Sequence, residues 1–164
     1  MLELPKVTLI ALGTVNIPGM YKALEYSCRG IKWGDVKLIT DVPCRTIDEW
    51  NHAIIFDLRK YVDTPFCMLV HPDGYVVNAG AWRGEFLNYD YIGAPWPFPQ
   101  DNYSYRTPKG ELVRVGNSVS LRSKRILELP SRLELEWKPF YGNTNEDGWI
   151  CCHQRRTCLR HRGR

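Results

Sequence analysis

No apolar run in this 164-residue sequence approaches the ~20 residues that a transmembrane helix needs. The hydrophobic N-terminal stretch MLELPKVTLIALGTV has Lys6 as its only basic residue, and no clean small-residue cleavage site follows. It reads as a first buried strand and not as a signal peptide. GxxxxGK[ST], GxGxxG and GxSxG are all missing, which argues against a P-loop enzyme, a dinucleotide oxidoreductase and an α/β-hydrolase. Internal repeats, low-complexity segments and an obvious linker are lacking too. The expectation is one domain over residues 1–164, with 154–164 a basic tail expected to be flexible, in a cytoplasmic protein.

What is present is globular: 44% of residues are hydrophobic and 24% charged. A chain of this length fits one domain and buries about 70% of its unfolded surface, so it needs no staple. The cysteines are Cys28, Cys44, Cys67, Cys151, Cys152 and Cys158. Cys67 sits inside an apolar run, and reduced thiols are expected. Cys151, Cys152, His153, Cys158 and His161 are dense enough to raise zinc, but the paired CxxC spacing of structural zinc sites is absent. Net charge is +4, and Arg155, Arg156, Arg160, Arg162 and Arg164 concentrate it at the C-terminus. Such a tail is either a solvated segment or a contact surface for phosphate, on a nucleotide or a nucleic acid.

Residues 7–15 form a β-branched apolar run, the pattern of a strand buried on both faces. The 3–4 spacing of Met20, Ala23, Leu24 and Ser27 predicts a helix over 17–30. Residues 36–41 read as a second strand, ending in Asp41. Thr46 and Glu49 have the spacing of a capping box, opening a helix through Trp50, Ala53 and Ile54, with further helix to Tyr61. A third strand covers 65–71. Residues 89–96 begin as a strand and break at Pro95. Residues 97–111 read as a long loop, of the kind that often forms lids or binding sites. A strand with a glycine break spans 113–123, and a helix from Lys124 is expected to stop at Pro130. The alternation of strand and helix favours an α/β domain with a mostly parallel central sheet flanked by helices.

Four groups of residues can carry chemistry. His71-Pro72-Asp73-Gly74 directly follows a buried strand, where open α/β sheets bind ligands. A carboxylate there suits Mg²⁺ or Mn²⁺, although Pro-Asp-Gly is also a common turn. Asn145-Glu146-Asp147 offers a general base for a hydroxyl, or simply a solvated helix start. In Val115 to Ser123, Gly116 permits close approach and Arg122 offers a fork for phosphate or carboxylate; a bulged strand with an exposed arginine is the plainer alternative. Trp82, Phe86, Tyr89, Tyr91, Trp96 and Phe98 supply aromatic faces, for sugars, for bases or for core packing.

The order of LPKVTLIAL, VKLITD, the strand ending in PDG, YDYIGAPW, VGNSVSLRS and NEDGWIC resembles a glycosyltransferase-like family catalogued as domain of unknown function 5672, over residues 4–152. The resemblance implies a GT-A-like nucleotide-diphosphosugar fold. It implies Asp73 as the acid that binds Mn²⁺ or Mg²⁺, with His153 as a further metal ligand. Glu146 and Asp147 correspond to the acidic pair near the acceptor hydroxyl. Thr14, Asp41, Asp90, Trp96, Gly116, Asn117, Ser120 and Arg122 become candidates for donor and acceptor binding. Where the family usually has two glycines and an aromatic residue before SLRS, this chain has Ser118-Val119.

The expected activity is metal-dependent transfer of a hexosyl-type sugar from a nucleotide-sugar, a UDP-sugar first of all, to a glycan or other hydroxyl acceptor. The alternative is a catalytically degenerate module that binds glycan or nucleic acid, with the basic tail as the nucleic-acid contact. A DNA-modifying transferase belongs with that alternative.

Overall fold

The computed structural model describes residues 1–138 and 145–160, and only the backbone of 115, 117, 118 and 158–160. Five strands form one open sheet: β1 (Leu2–Leu12), β2 (Ile31–Ile39), β3 (Phe66–Leu69), β4 (Tyr91–Pro95) and β5 (Val115–Ser123), in the order β2-β1-β3-β5-β4. Helix α1 (Ile17–Ser27) links β1 to β2, α2 (Ile47–His52) lies between β2 and β3, and α3 (Lys124–Arg132) follows β5. Two short helices, α4 (Glu146–Gly148) and α5 (Arg155–Arg160), flank a π-helical turn at Trp149–His153.

The sheet is mixed and not mostly parallel. β1 pairs in parallel with β2 and β3, whereas β5 pairs antiparallel with both β3 and β4. Only β5 is reversed, but it lies between β3 and β4 and so makes half of the four pairings antiparallel. The reversal follows from the connection. The segment between β4 and β5 contains no helix, and a wide hairpin returns the chain antiparallel without a crossover.

The buried run of β1 does what its composition dictates. Leu9 and Ala11 enter one core with α1 and Met68, while Ile10 and Leu12 enter the opposite core with Ala53, Leu58 and Leu69. Both faces are therefore covered, as a continuous apolar strand requires. β2 starts at Ile31, earlier than its apolar run suggests, because Leu2–Leu4 of β1 pair with Ile31–Trp33. That half of β2 buries only alternate residues, Ile31 and Trp33, and carries no continuous apolar signal.

The capping box at α2 is present: Glu49 N–H donates to Thr46 Oγ1 at 3.2 Å, and Thr46 N–H donates to Glu49 Oε2 at 3.0 Å. α3 runs through Pro130 to Arg132 instead of stopping before it. Leu129 and Pro130 are buried, so packing holds the last turn despite the missing N–H.

Candidate functional site

A cleft of about 370 Å³ opens at the carboxyl ends of β1 and β3. β1 leads off to β2 on one side and β3 lies on the other, so this is the point where strand order reverses and open α/β sheets bind ligands. Val15 follows β1, His71 and Asp73 follow β3, and Arg45, Thr46, Ile47, Trp50 and Asn51 supply one wall from the start of α2. Trp96, just past β4, and Asn145 to Asp147, at α4, close the other side. Trp50 is fixed in its wall by an indole N–H donated to Leu12 O at 2.8 Å.

The two acids of α4 have different environments. Glu146 is 5% exposed and accepts from Arg122 Nη2 at 2.5 Å. Arg122 is 1% exposed; its Nε donates to Ser120 Oγ at 3.0 Å, and its guanidinium lies 5.0 Å from the centre of the Tyr91 ring. Burial pulls the proton affinity of Arg122 down, but Tyr91, Glu146 and Cys67 together hold it above its ordinary value. Arg122 is absent from the lining of the cleft, and its Nη2 engages Glu146. The backbone N–H of Glu146 donates to buried Asn51 Oδ1 at 3.2 Å, which ties α4 to α2.

Asp147 is only 2% exposed, yet it lines the cleft. Its Oδ2 accepts the indole N–H of Trp96 at 2.8 Å, and its Oδ1 accepts Gly148 N–H at 2.7 Å. Burial, and then the neighbouring Glu146 charge, raise its proton affinity above the ordinary carboxylate value, against the opposing pull of these two donors and Arg122. Gly116 makes the arrangement possible. A Cβ there would collide with both Trp96 Nε1 and Asp147 Oδ2. The close approach anticipated at Gly116 is thus that of two side chains. At Gly93, where β4 shifts register against β5, a Cβ would collide with the carbonyl of Gly116.

Asp73 is the exposed acid of the cleft, in the turn closed by the His71–Gly74 bridge. Among the described residues, no three His, Cys, Asp or Glu side chains are grouped so as to hold a metal ion. Asp73 alone suits a cation that takes most of its ligands from water and substrate phosphates, as Mg²⁺ commonly does. His153 ends the π-helical turn, outside the lining of the cleft, and burial lowers its proton affinity. Of the residues considered for zinc, Cys151 and Cys152 are buried thiols; burial pushes Cys152 up to about 11. His161 and the side chain of Cys158 lie outside the described residues.

The other predicted residues are dispersed. Thr14 lines a smaller cavity of about 80 Å³ that shares Val15, Cys44, Trp50 and His71 with the cleft, and it donates to Cys44 O at 3.0 Å. Asp41 lies exposed beyond β2. Asp90 is at the amino edge of the sheet, where it accepts from Ser123 Oγ at 2.7 Å and pairs with Arg125. Ser120 is buried and accepts from Arg122, outside the lining of the cleft, and the side chain of Asn117 lies outside the described residues. Arg45, Thr46, Trp50 and Asn51 are lining residues that the sequence reading did not nominate. The capping box was the available signal, because it marks where a helix begins beyond a strand end.

The profile of the family described as "Protein of unknown function (DUF5672)" matches residues 53–161. The chain belongs to this family. Its matched span takes in Asp73, Trp96, Gly116, Arg122, Glu146 and Asp147, and leaves out Thr14, Asp41 and the Arg45–Asn51 wall. The family match thus begins well inside the 4–152 range of the sequence resemblance. No curated protein and no solved structure matches the chain.

Proposed function

We propose that the cleft transfers a hexosyl group from a nucleotide-sugar, most simply a UDP-sugar, to a hydroxyl acceptor on a GT-A-like domain. The observation that carries this reading is the pairing of one buried carboxylate, Asp147, with one exposed carboxylate, Asp73, in a single cleft at the strand switch point. Trp50 and Trp96 give that cleft the aromatic walls on which sugar rings stack. The raised proton affinity of Asp147 suits a general base, while the carboxylate of Glu146 is engaged with Arg122.

In the reaction, the acceptor hydroxyl gives its proton to Asp147. Its oxygen bonds to the anomeric carbon while the bond to the diphosphate oxygen breaks, and the nucleoside diphosphate leaves with the electron pair. Asp73 would hold the Mn²⁺ or Mg²⁺ that accompanies the diphosphate, and a bound ion would supply neutralising charge to the leaving group. Arg45, at the rim, contributes a second positive charge from the protein itself.

Thermal melting with UDP, GDP and CMP, each with and without Mn²⁺, tests the reading. A true ligand at a hundredfold excess over its Kd stabilises by roughly 2.7 kcal/mol. We expect one nucleotide class to raise the melting temperature only with Mn²⁺, and Asp73→Asn to abolish that rise while its unliganded melt stays unchanged. Unchanged nucleotide affinity in Asp73→Asn overturns the assignment of Asp73. No shift with any nucleotide overturns the transferase and leaves a glycan-binding cleft.

A further inference from the structure

We propose that Trp96 is the positioning residue of Asp147, and that Gly116 is the gap that lets it reach the carboxylate. The proposal rests on the reading of Asp147 as the proton acceptor of the cleft.

The indole is held from several directions. The backbone N–H of Trp96 donates to Arg114 O at 2.6 Å, and Arg114 Nε returns a bond to the backbone carbonyl of Trp96 at 2.7 Å. The ring stacks on Tyr105 with centroids 5.3 Å apart and planes 20° from parallel. From this fixed seat Nε1–H reaches Asp147 Oδ2, while Gly148 N–H holds Oδ1. A carboxylate has about four acceptor sites, so two donors fix the plane of the group and leave a lone pair on each oxygen for an acceptor hydroxyl. A reactive group is accurate only when neighbouring bonds lock its rotamer. Here the lock spans three chain segments: the end of β4, the start of β5 and α4.

The charged and titratable groups around Asp147 are Glu146 beside it, Arg122 on β5, Tyr91 on β4, Tyr105 in the β4–β5 connection, and Cys151 and Cys152 in the π-helical turn. Asp73 and His71 share its cleft. Within that set, the indole N–H is one of the donors that favour the ionised form of Asp147. Removing it leaves the burial cost less opposed. A base must be ionised to act, so the acidic limb of a rate profile then moves to higher pH.

Two variants reach the same bond from opposite sides. Trp96→Phe keeps the ring on Tyr105 and removes only the donor. Gly116→Ala keeps the indole and forces it off the carboxylate. The direct readout is a ¹³C carboxyl titration of Asp147 by NMR, assigned with Asp147→Asn, which needs no turnover. Melting with UDP and Mn²⁺ checks that the cleft is intact. In both variants we expect Asp147 to titrate at higher pH than in the unaltered protein. We further expect hydrolysis of UDP-glucose to fall about tenfold or more in kcat with KM little changed, and its acidic limb to move up. An Asp147 titration unchanged in Trp96→Phe overturns the proposal. The reading beneath it fails separately: full turnover in Asp147→Asn shows that Asp147 is not the base, even where Trp96 sets its titration.

Discussion

Arg122 is buried in the structure as deeply as the core leucines, and a guanidinium there is tolerated only opposite a carboxylate. Glu146 is that carboxylate. Glu146→Ala strands the buried cation, and urea unfolding should record a loss of about 3–5 kcal/mol. Replacing the pair together, with Arg122→Met and Glu146→Leu, should recover most of it, since apolar residues of similar volume often match a buried ion pair. A double variant no more stable than Glu146→Ala would mean that the pair contributes something other than charge compensation. Asp147 makes a different prediction. Its carboxyl has a raised proton affinity when folded, so the folded chain binds more protons than the unfolded one above the ordinary value of 3.8. Stability from this group is present at low pH and declines as pH rises through the window between the ordinary and the raised value. The melting temperature of Asp147→Asn, minus that of the unaltered protein, should therefore grow as pH rises from 3 through that window. A constant difference would show that burial does not perturb Asp147.

The elements were legible where local chemistry decides them. The apolar run of β1, the 3–4 spacing of α1 and the Thr46–Glu49 box all correspond to observed elements, because each depends on residues within a few positions of one another. The box also has a consequence for the site, since Thr46 and Arg45 line the cleft. Thr46→Ala removes the acceptor for Glu49 N–H and should cost about 1 kcal/mol. For a domain of this size that lowers the melting temperature by roughly 2–4 °C. Nucleotide-dependent stabilisation should weaken as well, as the wall frays. An unchanged melting curve would mean that packing of Ala53 and Ile54 alone holds the wall. Pro130 shows the limit of local reasoning. A proline ordinarily ends a helix before it, but here buried Leu129 and the Leu133–Leu129 bond continue the turn.

For the whole molecule, the sequence determined the class: a single α/β domain with buried strands, capped helices and acids placed just beyond strand ends. It also nominated Asp73, Trp96, Gly116, Glu146 and Asp147, the residues around which the cleft is built. Among the described residues no helix is long and apolar enough to cross a membrane, as the lack of apolar runs anticipated. Tertiary structure alone decided how those parts meet. The reversal of β5 depends on which neighbours it pairs with, and an apolar strand carries no mark of direction. Arg122 turns inward because Glu146, 24 positions on, arrives beneath the sheet to neutralise it. Trp96 and Asp147 are 51 positions apart, and their bond exists because Gly116 on a third segment leaves room for both. Periodicity and capping report only on neighbours in the chain. The site is made of contacts between distant segments, and those are set by the packing of the sheet and its helices.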